Sequence, residues 1–142
     1  MHRSRPIAAA LSLALVAGPA AAGEPARAAS TGGVTAAFGN TVKALYPDGR
    51  YQWLWFKPDG TWEAFGRRGK WSSGKWSQKA AGQVCLKQSR PVPVPFNYCT
   101  AFPAGSGVGA VWSSKSMEGE PIRVTVVKGI QRPATTSVGA AR

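Results

Sequence analysis

Histidine is all but missing from this chain: of 142 residues only His2 is a histidine. Without it the Ser-His and Cys-His nucleophile pairs, His general bases and His metal ligands have no candidates downstream. Acid is scarce too, with 6 Asp and Glu against 18 Lys and Arg, a formal net charge of +12. Paired carboxylates for hydrolysis are therefore hard to assemble. There is no long apolar run. The longest, Ile7 to Val16, is about ten residues, half of the roughly 20 that span a bilayer. Cysteine is limited to Cys85 and Cys99. No stretch carries a convincing helical period.

What is present begins with an export pattern. Arg3 and Arg5 form a positive start, and Ile7 to Val16 an apolar segment interrupted by Ser12. Gly18-Pro19 breaks it, and Ala20-Ala21-Ala22 offers the small residues that a signal peptidase reads. Cleavage is expected after Ala22. Residues 1–22 are thus read as a signal peptide, and the chain as periplasmic or secreted, with no transmembrane segment after cleavage. The remaining 120 residues hold 16 Lys and Arg against 6 Asp and Glu, an excess of ten positive charges. In an oxidising compartment Cys85 and Cys99 are expected to form a disulfide across two adjacent antiparallel strands.

Residues 23–37, rich in Ala, Gly, Ser and Thr, read as a flexible leader, and 130–142 as a flexible tail. All 14 aromatic residues fall between Phe38 and Trp112, so a domain over 38–129 is expected. The pattern inside it has period two and is cut by turns. Pro47-Asp48-Gly49 and Pro58-Asp59-Gly60 combine a preset φ, a local Asp hydrogen bond and a glycine open to positive φ. Strands are expected at 41–46, 51–56, 61–65, 71–77, 83–88, 96–101, 108–113 and 121–127. Pro91-Val92-Pro93-Val94-Pro95 lacks every second amide donor and is expected as a loop within the Cys85–Cys99 ring. The fold class is therefore all-β: a small antiparallel meander of about eight strands forming a barrel or a strongly curled sheet.

Five segments carry a resemblance: Phe38-Gly39-Asn40-Thr41, Tyr46-Pro47-Asp48-Gly49, Pro58-Asp59-Gly60-Thr61, Ser73-Gly74-Lys75-Trp76 and Cys85-Leu86-Lys87-Gln88. Over Phe38 to Gly129 the chain resembles an uncharacterised family of small exported (periplasmic) alphaproteobacterial proteins. The resemblance implies a periplasmic β domain and supplies no catalytic residue. The Gly74-x-Trp76 within a meander is distantly similar to lipocalin-like β-barrels, whose signature lies in the first strand; here it lies near the fourth.

Three catalytic look-alikes fail on their context. Gly69 to Lys75 has P-loop spacing, but Trp76 stands where a Ser or Thr should reach magnesium, and no helix follows. Ser72-x-x-Lys75 needs a helix and partner motifs that are absent. Asp48 and Asp59 are explained by their turns, and Glu63 is the only carboxylate within an expected strand. No catalytic residue, cofactor or metal is assigned, and the protein is read as a non-enzyme.

Charge interleaved with aromatic rings remains. Arg67, Arg68, Lys70, Trp71, Lys75, Trp76 and Lys79 lie within thirteen residues, and a basic hairpin with exposed rings can clasp an anionic polymer. The same residues also fit a hairpin with both tryptophans inward and a solvated basic rim. Trp53, Trp55 and Trp62 are expected as an inward cross-strand cluster, with at least one of Trp71 and Trp76 partly exposed. Two functions follow. One is a barrel or cleft that binds a small apolar or anionic envelope-derived ligand. The other is a structural module docking anionic lipid, lipopolysaccharide or glycan through the basic hairpin. Nucleic acid is a poor partner for an exported chain.

Overall fold

A computed structural model describes residues 33–80 and 82–134. The expected signal peptide at 1–22, the start of the leader and residues 135–142 of the tail lie outside the described residues. The described chain forms a short 3-10 helix, Gly33–Ala37, and then eight strands: β1 Thr41–Leu45, β2 Tyr51–Phe56, β3 Thr61–Phe65, β4 Trp71–Ala80, β5 Gln83–Arg90, β6 Tyr98–Ala101, β7 Val111–Lys115 and β8 Pro121–Val127. All pair antiparallel in one sheet of order β6-β5-β4-β3-β2-β1-β8-β7. The meander thus curls until its last strand meets its first.

One turn repeats four times. In each, the residue before a three-residue loop accepts from the loop's third residue and donates to the residue after it: Tyr46 with Gly49 and Arg50, Lys57 with Gly60 and Thr61, Gly66 with Gly69 and Lys70, Ser116 with Gly119 and Glu120. The third loop residue is always a glycine at φ between 73° and 84°, the left-handed region that side chains avoid. Asp48 and Asp59 also accept the amides of Arg50 and Thr61, each at 2.9 Å, as the Pro-Asp-Gly signature requires.

The ladder is irregular between β4 and β5. A register shift falls between Ser73 and Gly74, and a β-carbon on Gly74 would sit 1.9 Å from the Lys87 carbonyl oxygen. Only glycine permits that approach; on β3 the cross-strand partner of Gly74 is the buried Trp62. The inner face carries Val42, Ala44, Leu54, Phe56, Trp62, Ala64, Val84, Leu86, Val124 and Val126, all buried. Burial of each larger side chain contributes about 1.5–3 kcal/mol.

Closure is uneven. β1 and β8 share a full ladder from Thr41↔Val127 to Leu45↔Arg123, but no ladder joins β6 to β7. Side chains stitch that seam: Tyr98 Oη donates to the Lys115 carbonyl, Thr100 Oγ1 pairs with Ser114 Oγ, and Trp112 Nε1 donates to the Ala101 carbonyl at 3.1 Å. The Cys85–Cys99 disulfide is formed between directly opposed residues of β5 and β6.

Several expectations need correction. Residues 33–37 are not leader, since Val34 and Ala37 are buried against the barrel. The chain after β8 is tied down as far as Arg132. Thr41 Oγ1 donates to the Gly129 carbonyl at 2.8 Å and accepts from Gln131 N at 2.8 Å and Trp55 Nε1 at 3.2 Å. Trp53 and Trp55 do not face inward with Trp62. The three-residue loop pairs Phe56 with Trp62 and Trp55 with Glu63, so the odd-numbered rings of β2 lie on the outer wall. There Trp55, only 3% exposed, is covered by Trp71 and Arg132.

Candidate functional site: the barrel cavity and its rim

The inner residues do not fill the barrel. A cavity of about 130 Å³ remains among Val42, Ala44, Leu54, Phe56, Val84, Leu86, Tyr98, Trp112 and Val124, with Tyr46, Gln52, Gln88, Ser116 and Met117 toward one end. Eight strands give an interior that side chains can just fill, or that can hold one small ligand.

The two ends close differently. The end formed by the 3-10 helix and residues 102–110 is plugged by rings. Phe102 lies 5.9 Å from Phe56 and 4.8 Å from Trp112, and Trp76 lies 5.7 Å from Phe38 and 6.3 Å from Phe56. The Trp76 Nε1 donates to the Lys57 carbonyl at 2.8 Å, so this tryptophan is a stopper.

At the other end the turns 46–50, 66–70 and 116–120 meet around Arg67. Its guanidinium lies 4.1 Å from the Tyr46 ring centroid. It also pairs with Asp48 at 3.2 Å, Glu118 at 3.3 Å and Glu120. Its side chain is only 12% exposed. Burial alone works to lower its pKa, but the hydrogen bond and charge of Glu120, with Asp48, leave it raised. Burial pushes the Tyr46 phenol up, partly opposed by Arg67, and its hydroxyl donates to Gln52 Oε1 at 2.7 Å. A surface recess of about 260 Å³ beside Arg67, Arg68 and Lys70 shares Tyr46, Gln52, Ser116 and Met117 with the cavity, so this end is the mouth.

The basic, aromatic segment is therefore divided among five places. Arg67 is neutralised within the mouth by three carboxylates. Arg68 and Lys70 are exposed on the rim. Trp76 is the stopper. Trp71 and Lys75 lie on the outer wall, with Trp71 46% exposed, and Lys79 is exposed at the far end of β4. The sequence offers no single basic hairpin face once Arg67 is turned inward; Glu118 and Glu120, distant in sequence, are what turn it. Missed in the sequence were Lys43, over the rings of Tyr51 and Trp53 at 4.3 and 4.4 Å, and Arg132, over Trp55 at 4.6 Å. Only the alternation of β1 and β2 hinted at the first.

Chemically the cavity is quiet. Most of its polar side chains are already paired: Tyr46 with Gln52, Thr100 with Ser114, and Gln88 Nε2 with the Val92 carbonyl at 2.9 Å. Among the described residues no buried side-chain polar atom lacks a partner, and no group of three or more His, Cys, Asp or Glu is placed to hold a metal. No described helix is long and apolar enough to cross a membrane. No family model, curated protein or solved structure matches the chain.

Proposed function

We propose that this is an exported, non-enzymatic binding protein whose barrel takes a small, largely apolar, envelope-derived ligand. The observation that carries the reading is the cavity of about 130 Å³ with a mainly apolar lining, beside which no buried side-chain polar atom of the described residues lacks a partner. Such a wall selects by shape and apolar contact. The volume approaches the roughly 150 Å³ at which a dry apolar cavity takes benzene, so the occupant is a small ring or short chain. Export is supported by the residues of the 1–22 segment and by the Cys85–Cys99 bond. The distant similarity to lipocalin-like proteins belongs to the same reading, because those too are eight-stranded up-and-down barrels.

Native mass spectrometry of protein isolated from producing cells tests this. We expect an added mass on the wild type that is lost on denaturation. Ala44→Leu places three more carbons into the cavity from a buried wall position, and should abolish the added mass without unfolding the protein. An unliganded wild type that also takes up no small apolar probe overturns the proposal.

A further inference from the structure

We propose a second binding site, on the outer wall of β3 to β5, for an anionic polysaccharide. Neither the cavity nor the mouth is part of it.

The wall is organised in rows by the strand register. One row places Trp71 beside Phe65, the next sets Glu63, Ser73 and Arg90 side by side, and a third sets Lys75 directly opposite Lys87. Along β4 the residues Trp71, Ser73 and Lys75 share this face at steps of roughly 7 Å, two strand residues each. Ring, hydroxyl and cation therefore follow one another over about 13 Å along a single line. A cleft of about 600 Å³ opens between Trp71, Glu63, Ser73, Arg90 and Pro91.

Two features of this wall go beyond packing. First, Trp71 remains 46% exposed although its ring packs against Trp55 at 5.7 Å and Phe65 at 5.1 Å and has the Arg132 guanidinium 5.5 Å from its centroid. A fixed aromatic platform facing solvent is a stacking surface. Second, Lys75 and Lys87 are directly opposed like charges, which destabilises a sheet. Among the described residues neither makes an ion pair. An acidic group bridging them would relieve that repulsion, so the pair is complementary to a polyanion.

The centre of the cleft decides which polyanion. Glu63 pairs through Oε2 with Lys57 at 3.3 Å, leaving Oε1 as an acceptor between Trp71 and the lysines. A carboxylate there repels phosphate and uronate alike, but it accepts from a free sugar hydroxyl, as Ser73 does, while Arg90 donates, and a DNA backbone has no such hydroxyl to offer. Ring faces for stacking, acceptors and donors for hydroxyls, and spaced cations for acid groups fit a uronic-acid-bearing chain better than a nucleic acid.

Binding of the full chain to polygalacturonate, to neutral dextran and to a single-stranded DNA oligonucleotide, followed by tryptophan fluorescence at low and high salt, tests the proposal. Polygalacturonate should bind most tightly, with affinity falling as salt rises. Lys75→Gln with Lys87→Gln should weaken it at least tenfold and flatten the salt dependence, while leaving the thermal midpoint unchanged or higher. Trp71→Ala should weaken it at least tenfold with the salt dependence kept, and Trp71→Tyr should restore most of the loss. Polygalacturonate binding that the lysine pair or Trp71 does not affect overturns the proposal. So does tighter binding of the DNA or equal binding of dextran, and so does an absence of polygalacturonate binding.

Discussion

The two ends of this barrel solve one problem with different chemistry. At one end Phe38, Phe56, Trp76, Phe102 and Trp112 pack in tilted and edge-to-face pairs beside a 3-10 helix that buries Val34 and Ala37. At the other, three turns are drawn together by one arginine and three carboxylates. Apolar packing is largely indifferent to salt and to acid, whereas an ionic clasp near solvent weakens under both. The difference teaches where the barrel is fixed and where it is adjustable. The cavity opens toward the adjustable end.

The comparison can be broken most forcefully at the plugged end. Phe102→Ala removes a ring that is 3% exposed and touches both Phe56 and Trp112, and should cost about 3–5 kcal/mol in urea unfolding. Thr41→Val, beside the same end, removes a buried hydroxyl with three partners: the Gln131 amide loses its acceptor and the Gly129 carbonyl its donor, while Trp55 Nε1 keeps the Gln131 carbonyl at 3.2 Å. A loss of about 1–3 kcal/mol is expected, with accelerated amide exchange at Gln131 as its local sign. At the mouth, Arg67→Met should lower the midpoint by less than either. Its signature is faster amide exchange confined to turns 46–50, 66–70 and 116–120, which 1 M salt should reproduce in the wild type.

Acid gives the smallest and most selective effect. The Arg50 amide, ahead of the charges of Arg50 and Arg67, holds the Asp48 carboxyl below its ordinary 3.8. The Thr61 hydroxyl and amide do the same for Asp59. As pH falls through about 4 the unfolded chain takes up these protons before the folded chain does, so stability falls. The contribution is present above that range and is lost as pH drops through the lower folded values. Asp48→Asn should flatten this acid limb and also loosen the 66–70 turn through Arg67. Asp59→Asn, whose partner lies within its own turn, should disturb only 57–61. Exchange rates at pH 5 and pH 3 separate the two.

Much of this architecture is legible in the residues. The Pro-Asp-Gly turns place β1, β2 and β3 closely, and the alternating prolines keep 91–97 out of the ladder. The faces of β2 are less legible, because Tyr51-Gln52-Trp53-Leu54-Trp55-Phe56 is apolar on both sides. The parity was nevertheless encoded. A three-residue loop sets Trp55 beside Glu63, and a charged partner marks the outer wall. Counting tryptophans favoured the wrong face; counting loop residues gives the right one. The mouth was hidden for a different reason. Arg67 reads as one of a basic cluster until the turns carrying Asp48, Glu118 and Glu120 are brought together by closure. No local pattern reports a meeting of residues 19, 51 and 53 positions apart.

The side-chain stitching between β6 and β7 gives the barrel a mechanical fault line. Three hydrogen bonds hold that seam, where every other neighbouring pair is joined by a backbone ladder. Under load or heat the wall should therefore unroll there first, into an open eight-stranded ribbon whose far edge stays clamped to β5 by the disulfide. Unrolling bares the β6 and β7 edges together, and each is a template for the other on a second molecule. Two opened chains could then trade edges and reclose as a swapped pair, so the weakest line in the monomer is also its most direct route to a dimer.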